Sequence, residues 1–419
     1  MNISVPKIDL LAGIQCYCTH VNGIGGLIKQ GNTSFRVNEI VDEFFLAGLS
    51  PTRDDDHRFP VYILDKKNID SNHALFEIKK EYGISLKIMG IKDSKAITKQ
   101  YASSEQIRNV PKEVKTTHTL LRLKGFTRKP LRKAILNGNE FTITVDNARY
   151  SDIANFVPEV ENIANFYGLQ RFGSERLMTH LVGRELVKRD FRKAIEIILS
   201  YTTEYDSARS REIREKIRDP KNYLQVLKQL PRGMDIEYNV MSALVNGKEP
   251  ISALRAIPVN IRRLFVQAYQ AFLFNKCLST AILNGENILR CKEGDLCFEM
   301  EGPLIFGKIR KFNSDINSTS KKTTPAMRLV GYTFQPGKGR FETITRKMMQ
   351  EEGITERDFY IKEMQELSAQ GGFRQTPLCC EDFSYMNSLI LHFKLPKGSY
   401  ATTLLRELMK PEDPIRSGF

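Results

Sequence analysis

In the first third of the chain, some segments have the hydrophobic spacing of a helix and others have β-rich patterns. This combination predicts several strands and one helix. Apolar residues recur every three or four positions in residues 70–82, and this spacing predicts an amphipathic helix that ends at Gly83. The β-rich, glycine-broken segment 13–45 instead predicts strands and turns. Further strands are expected at residues 86–89, 119–123 and 141–145.

The middle of the chain has mainly helical patterns. Pro158 suits a first helical position, so a helix is expected over residues 158–167 with its end at Gly168, and another over residues 184–199. Helical spacing dominates residues 206–276. Four prolines should divide that region into shorter helices: Pro220, Pro231, Pro250 and Pro258.

Strand patterns return toward the end of the chain. Residues 297–308 predict short strands with turns, residues 388–393 a strand, residues 395–398 a turn, and residues 402–409 a last helix. Strands therefore concentrate toward both ends and helices in the middle. One sheet built from both ends, with a domain inserted between them, accounts for this distribution.

Length and composition favour a two-domain globular protein. The chain has 419 residues, 41% of them hydrophobic, whereas single cores stop growing near about 250–300 residues. No stretch approaches the roughly 20 apolar residues of a membrane span, and residues 1–11 do not resemble a signal peptide, so a cytoplasmic location is expected. Seven scattered cysteines predict reduced thiols rather than a disulfide framework or a structural zinc site.

The charge balance points to a polyanionic partner. The chain carries 63 Lys and Arg against 49 Asp and Glu, a net charge of +14. Residues 92–140 hold twelve basic against four acidic residues, more than half of the total excess. Such a run is usually a solvated face. Its position around the strongest chemical motif instead favours contact with phosphates.

That motif occupies residues 90–100, where Asp93 follows a predicted strand and a glycine. Lys92, Lys95 and Lys99 would keep an aspartate there ionised, and an ionised carboxylate can act as a nucleophile or a general base. The structural alternative is a helix N-cap at Asp93 or Ser94, and spacing alone favours that alternative.

Three other segments could contribute to a site. Residues 165–173 combine three aromatic rings with amide and arginine groups, which suit an unstacked base, although such rings are more often core. Asn139, in residues 138–141, could read a base edge or sit in an ordinary turn. Residues 393–407 first indicate a capped helix. The glycines of residues 23–26 match neither nucleotide-binding pattern, so no nucleotide cofactor is expected.

Taken in order, these segments resemble the TruD family of pseudouridine synthases. Residues 34–40 are similar to its D-F-x-V-x-E-I element, with Ser34 in place of Asp, and residues 90–100 to its G-x-K-D-x-x-A-x-T-x-Q signature. Residues 138–141 match G-N-x-F. Residues 165–173 resemble N-Y-F-G-x-Q-R-F-G, with Phe166 and Tyr167 in place of the usual Tyr-Phe. Residues 267–275 resemble a helix of the inserted domain. Residues 393–407 match F-x-L-P-x-G-S-Y-A-T-x-x-L-R-E.

The resemblance implies an α/β (α+β) fold of two domains in a V. Residues 1–170 and 375–419 would form the pseudouridine-synthase catalytic domain, with a mixed or antiparallel sheet, and residues 171–374 an inserted α/β TRUD domain. The implied activity is isomerisation of a uridine to pseudouridine in tRNA, at position 13, without a metal or organic cofactor.

The resemblance also implies roles for individual residues. Asp93 would be the catalytic residue and Lys29 its ion-pair partner, with the uridine held by Phe35, Asn139 and Phe393. Phe166 and Tyr167 are further candidates for contact with the base. The basic stretch containing Arg128, Lys129 and Arg132 would bind phosphates.

Two other classes of protein remain open at this stage. A non-catalytic RNA-binding or ribosome-assembly protein would share the charge and the aromatic residues but would not need Asp93. A metal-dependent RNA hydrolase would need clustered acids or histidines, and the six histidines show no ligand spacing. A monomer that associates with tRNA and not with a membrane is expected.

Overall fold

The computed structural model describes residues 4–31, 34–92, 94–105, 110–173, 176–231, 233–313, 322–335, 337–386 and 389–419. Within them, the strands are β1 Phe35–Val41, β2 Phe59–Lys66, β3 Lys87–Ile88, β4 Ile97–Ser103, β5 Glu113–Lys115, β6 Thr119–Thr127, β7 Leu136–Thr144, β8 Leu296–Gly302, β9 Ile305–Lys311, β10 Thr323–Leu329, β11 Gly372–Gln375, β12 Glu381–Met386 and β13 Ile390–Pro396.

The α-helices of the same residues concentrate in the middle of the chain. They are α1 Lys7–Leu11, α2 Glu43–Ala47, α3 Ser71–Tyr82, α4 Ile153–Phe156, α5 Thr179–Val187, α6 Phe191–Ser200, α7 Ala208–Ile217, α8 Tyr223–Leu227, α9 Asp235–Val245, α10 Pro250–Arg255, α11 Val259–Leu283, α12 Arg340–Glu352 and α13 Ala401–Met409. Short 3₁₀ segments lie at Lys133–Ile135, Tyr150–Asp152, Val157–Asn162, Leu169–Phe172, Pro220–Asn222, Glu356–Phe359 and Lys362–Leu367.

The strands form two sheets that divide the chain as its hydrophobic pattern indicated. The larger, mixed sheet has the order β12-β13-β7-β1-β4-β2-β6-β5, with β3 paired to β4, and only its β1–β4 pair runs parallel among the described pairs. It therefore draws strands from both ends of the chain. The smaller sheet, β11-β10-β8-β9, is antiparallel and comes from the middle. The expected α+β fold class is confirmed.

Several predicted elements are confirmed because strong local signals fix their ends. Asp70 caps α3 by accepting hydrogen bonds from two backbone N–H groups, and Gly83 ends the helix with φ 70°, in the left-handed region that glycine adopts at little cost. Pro250 starts α10 at its first turn, and Pro258 caps the long helix α11. The strand expected at residues 388–393 is β13, although Ser388 lies outside the described residues.

Other predicted elements are wrong in their bounds. The helix expected over residues 184–199 is two helices, because Arg189 takes φ 61° and Asp190 then caps α6 through the backbone N–H of Lys193. The helix expected to end at Gly168 ends at Asn162, and Ala164 instead bridges Pro377. In the described part of segment 13–45, the structure has the strand β1 and the beginning of the short helix α2 in place of several strands.

One expectation about the cysteines is also wrong. Cys291 and Cys297 form a disulfide that closes the turn between the end of α11 and strand β8. The remaining five cysteines are free thiols. Burial raises the pKa of the Cys16 thiol to about 11, so this group stays protonated at neutral pH.

A buried cluster of charges ties the N-terminal segment to the last helix. Nε of Arg406 lies 2.6 Å from the Asp9 carboxylate, and its Nη1 lies 2.9 Å from that of Glu407. The second Glu407 oxygen accepts hydrogen bonds from the backbone N–H groups of Cys18 and Thr19. Burial raises the pKa of the Glu407 carboxyl, and the three side chains are at most 5% exposed. We name these three residues, Asp9, Arg406 and Glu407, the acid–arginine cluster.

None of the helices in the described ranges has the length and apolar content of a membrane span.

Candidate active site

A cleft of about 460 Å³ opens between the larger sheet and the turn that precedes α13. Five separate segments line it, and each of them overlaps a motif singled out in the sequence. The lining residues lie on β1, on β7 with the 3₁₀ segment just before it, in the loop between β3 and β4, at Gln170, and at residues 397–402, where a turn leads into α13. Segments far apart along the chain therefore meet at one concave site, which is the usual character of a ligand site.

The alternation of side chains along two paired strands explains the floor of the cleft. Phe35 and Val37 lie two residues apart on β1, and Asn139 and Phe141 lie two residues apart on β7, so each pair shares a face. The antiparallel register pairs Val37 with Phe141 and Glu39 with Asn139. The two faces therefore coincide, and the same face continues to the carboxylate of Glu39.

Two of the three residues expected around the uridine line this cleft, namely Phe35 and Asn139. Phe393 is 1% exposed and does not appear in the lining. It stacks on Phe141 with ring centroids 5.2 Å apart, and Phe141 lines the cleft. Phe393, expected to contact the base, thus packs against the ring of its cross-strand partner Phe141, for which the sequence indicated no role.

Phe166 and Tyr167 lie away from the lining in two different settings. Phe166 is fully buried in the core that includes α5 and α11. Tyr167 lies under the guanidinium of Arg374, 4.0 Å from its ring centroid. The expected contact of either ring with a base stays a prediction.

Arg374 joins two of the motifs, and sequence analysis missed it. Its guanidinium donates to the side-chain oxygen of Asn165 at 2.8 Å and to the carbonyl oxygen of Gly398 at 2.8 Å. Gly398 also lines the cleft. Burial lowers the pKa of Arg374, but its bonds to oxygen atoms and its position over Tyr167 match a charged guanidinium. Arg374 therefore holds the turn before α13 in place.

Asp93 lies outside the described residues, but its chain neighbours are described. Lys92 lines the cleft, and Ser94 lines a second cavity of about 320 Å³ together with Lys29. Lys29 has φ 61°, and its ammonium lies 5.3 Å from the centre of the Phe35 ring. The ion pair between Lys29 and Asp93 stays a prediction.

The loop that contains position 93 is held by two buried polar side chains. Ser71 Oγ accepts a hydrogen bond from the backbone N–H of Lys92 at 2.9 Å and donates to Oε1 of Gln100 at 3.2 Å. Gln100 is fully buried and donates to the carbonyl oxygen of Gly90 at 3.4 Å. The helix that an N-cap at 93 or 94 would begin is excluded, because β4 already begins at Ile97.

Lys92 has two described partners that the sequence did not indicate. Its ammonium lies 3.0 Å from Oε1 of Glu39 and donates to Oδ1 of Asn139 at 2.8 Å. The sequence predicts that Lys92 keeps Asp93 ionised, which stays a prediction, and it indicates no role for Glu39. The available signal was the glutamate of the D-F-x-V-x-E-I element, whose position on β1 puts it on the same face as Phe35.

The basic stretch lies on the loop that joins β6 to β7. These strands are four places apart in the sheet, so the loop crosses roughly 19 Å of the sheet end. Arg128, Lys129 and Arg132 are exposed on it, and Arg128 lies 3.8 Å from Asp56. At the far end of the loop, Lys133 lines the cleft. The cations thus extend along the surface to the cleft itself.

The chain resembles known proteins over almost its whole length. The family model described as tRNA pseudouridine synthase D (TruD) matches residues 11–408. A relative from Methanococcoides burtonii, named "Probable tRNA pseudouridine synthase D", is 30% identical over 447 residues and covers 98% of each chain. One of the same name from Pyrobaculum islandicum is 30% identical over 433 residues and covers all of both chains.

A solved structure agrees with these matches in three dimensions. The crystal structure of a TruD protein from Methanosarcina mazei superposes with a TM-score of 0.76 at 26% identity, covering 99% of this chain and 100% of that one. The strands of both sheets of this chain and the family motifs around the cleft lie within the residues matched by the family model. This chain belongs to the TruD family of tRNA pseudouridine synthases.

Proposed function

We propose that the cleft accepts the uridine at tRNA position 13 and that Asp93 is the residue that isomerises it. Membership of the TruD family gives the reaction, the isomerisation of uridine to pseudouridine in tRNA. The observation that carries the finer assignment is the junction of Phe35, Asn139 and Phe141 in one cleft with Lys92, the chain neighbour of Asp93. A non-catalytic RNA-binding protein would not require this junction.

The chemistry needs only groups that this chain can supply. The bond between N1 and the sugar breaks, the base turns, and a bond between C5 and the sugar forms. C5 loses its proton and N1 gains one, so there is no net oxidation or reduction. Asp93 would start the reaction either by attacking the sugar or by removing its 2′ proton, and both routes stay open. Lys29 would keep the carboxylate ionised by its opposite charge. No metal or organic cofactor enters this scheme.

The target base has to leave its stack before its sugar can meet an aspartate of the protein. Phe35 and Phe141 would then contact the ring faces of the uracil, since both line the cleft. Phe393 would support Phe141 from behind through their stacked contact. Phe166 and Tyr167 are proposed to support the framework around Arg374, through the Phe166 carbonyl oxygen and the Tyr167 ring, and their contact with the base stays a prediction.

We further propose that residues 1–170 with 375–419 form the catalytic domain and residues 171–374 the inserted domain. The composition of the two sheets supports this division, because the larger sheet takes its strands from the first and last segments. The protein is proposed to act as a monomer in the cytoplasm, without a nucleotide cofactor.

Pseudouridine mapping on a tRNA transcript tests the substrate assignment. The purified protein is expected to form pseudouridine at position 13 of an unmodified transcript, equally well with and without a metal chelator, because no step needs a metal. A matched transcript with cytidine at position 13 is expected to remain unmodified. Pseudouridine at another position would overturn the site within the tRNA, and activity that the chelator abolishes would overturn the metal-free scheme.

Charge reversal in the basic loop should weaken tRNA binding without slowing the chemistry. For Arg128→Glu with Lys129→Glu, affinity is expected to fall roughly tenfold or more at low salt, since both cations would lie against phosphates. The salt dependence of binding, measured by titration, should decrease as well. Single-turnover pseudouridine formation at saturating enzyme should be unchanged.

The matched control reverses two exposed lysines outside this loop, Lys79→Glu with Lys80→Glu in the last turn of α3. It should weaken binding much less. Equal losses in both double variants would mean that general charge, and not the basic loop, holds the tRNA.

A further inference from the structure

The polar end of the cleft contains an ion pair that the isomerisation scheme does not use. The Lys92 ammonium lies 3.0 Å from the Glu39 carboxylate, and the two side chains are 11% and 0% exposed. The other Glu39 oxygen accepts a hydrogen bond from the backbone N–H of Tyr101 at 2.9 Å. Because the carboxylate is anchored on β4, it fixes the ammonium in turn.

The backbone of Lys92 is equally constrained. Its N–H is bound to Ser71, and a Cβ atom at Gly90 would lie 3.6 Å from the Lys92 ammonium and 3.9 Å from the Glu39 carboxylate. The loop therefore passes close over the ion pair. A second arrangement of Lys92 would give up its backbone bond to Ser71, its ion pair with Glu39 and its hydrogen bond to Asn139.

This fixed ammonium determines how the neighbouring amide is oriented. Lysine has hydrogen-bond donors and no acceptor, so the side-chain oxygen of Asn139 must face it. Accordingly, the Lys92 ammonium donates to Oδ1 of Asn139 at 2.8 Å. The amide NH₂ group then points the other way. Among the residues that the structure describes, no acceptor is bound to this NH₂, and Asn139 lines the cleft.

We infer that the Lys92–Glu39 pair is a positioning device that presents Asn139 as a fixed donor to the O4 carbonyl of the target uracil, and thereby excludes cytosine. This inference rests on the proposed function, in which the cleft holds the uridine. It makes Lys92 and Glu39 determinants of base specificity that act through Asn139, and neither residue touches the reacting atoms.

The chemistry of the two pyrimidines supplies the discrimination. Uracil has a carbonyl oxygen at position 4, which accepts from the amide, whereas cytosine has an amino group there, which only donates. Two donors that face each other leave both without a partner, and a buried group without a partner is costly. An unconstrained amide could rotate by 180° and accept a hydrogen bond from the cytosine amino group. Discrimination therefore requires that the Lys92–Glu39 pair holds the Asn139 amide in one orientation.

The same donor suits the turning of the base during the reaction. Uracil carries a carbonyl oxygen on each side of N3, and the half-turn that brings C5 to the sugar exchanges O4 and O2. An acceptor therefore faces Asn139 both before and after the turn. Cytosine would present its amino group in one of the two positions.

Equilibrium binding of two transcripts, with uridine or cytidine at the target position, tests the inference. All proteins carry Asp93→Asn so that uridine is not consumed, and any turnover in that background is recorded separately as evidence against the role of Asp93. With the pair intact, the uridine transcript should bind about tenfold more tightly than the cytidine transcript.

Two variants then change this ratio in different directions. Lys92→Met combined with Glu39→Gln removes both charges together, so that no buried carboxylate is left alone, and the ratio should fall to within about twofold. Asn139→Asp keeps a partner for Lys92 but offers only acceptors, so the cytidine transcript should become the tighter ligand. Thermal melting identifies any variant that does not fold.

Lys133→Met is the matched control, since it removes a cation that also lines the cleft. It should weaken both transcripts by the same factor and keep their ratio. An unchanged ratio in the folded Lys92 and Glu39 double variant would overturn the positioning role, and an equal loss for both transcripts in Asn139→Asp would overturn the donor assignment. The proposed function would survive either result, because it is judged by pseudouridine formation in the unmutated protein.

Discussion

Replacement of Asp93 by asparagine is expected to reduce pseudouridine formation by a factor on the order of 10³ or more. Asparagine keeps the shape of the side chain but can neither attack the sugar nor accept its proton at neutral pH. Single-turnover assays on a tRNA transcript measure the loss. Affinity for the same transcript should remain within about twofold, since the cations of the basic loop are untouched.

The matched control is Asp55→Asn, which makes the same chemical change at an exposed position. It should leave both activity and affinity as in the unmutated protein. Retained turnover in the Asp93 variant would reject Asp93 as nucleophile or base. Loss of binding together with activity would show instead that Asp93 is needed to form the binding surface.

Replacement of Arg406 by methionine is expected to lower the free energy of unfolding by about 3–5 kcal/mol. The acid–arginine cluster is almost fully buried, so the change leaves the carboxylates of Asp9 and Glu407 without their counter-charge. Burial disfavours the charge on Arg406, but the two carboxylates outweigh that effect and raise its pKa. A shift in the urea midpoint measures the loss.

Arg416→Met is the control for this variant, since Arg416 is 88% exposed and pairs with Asp413 on the surface. It should cost less than about 1 kcal/mol. Adding Asp9→Asn and Glu407→Gln to Arg406→Met should recover part of the stability, because no unpaired charge then remains buried. Equal urea midpoints for the Arg406 and Arg416 variants would show that the cluster contributes little.

The sequence predicted elements well where one local signal decided the matter. Asp70 and Gly83 delimit α3 by capping, and prolines open α10 and α11, because these effects depend on the backbone alone. The break at Arg189 could not be foreseen in this way. Its positive φ closes the C-terminal end of α5, where the backbone N–H of Asp190 donates to the carbonyl oxygen of Glu185, and an arginine at that position gives no glycine-like signal in the sequence.

The residues of the candidate site likewise divide into those that local sequence signals predicted and those that they did not. Motif order identified Phe35 and Asn139, and strand alternation explains why both face the cleft. Whether Phe141 or Phe393 lines the cleft depends on how the two rings stack across paired strands. The hydrophobic pattern of the sequence does not encode that stacking. Arg374 was missed because its partners at 165 and 398 are remote in the chain and meet only in the folded protein.

The pairing of β7 with β13 has a consequence for biosynthesis. Strand β7 is complete at Thr144, but its partner begins at Ile390, so at about 5–20 residues/s the ribosome needs roughly 12–50 s to supply it. Until then one edge of β7 has no strand to bond, and such edges invite association with other chains. The wall of the cleft at 397–402 is translated later still. A nascent chain therefore cannot retain a tRNA in a finished pocket before nearly all of it has been made.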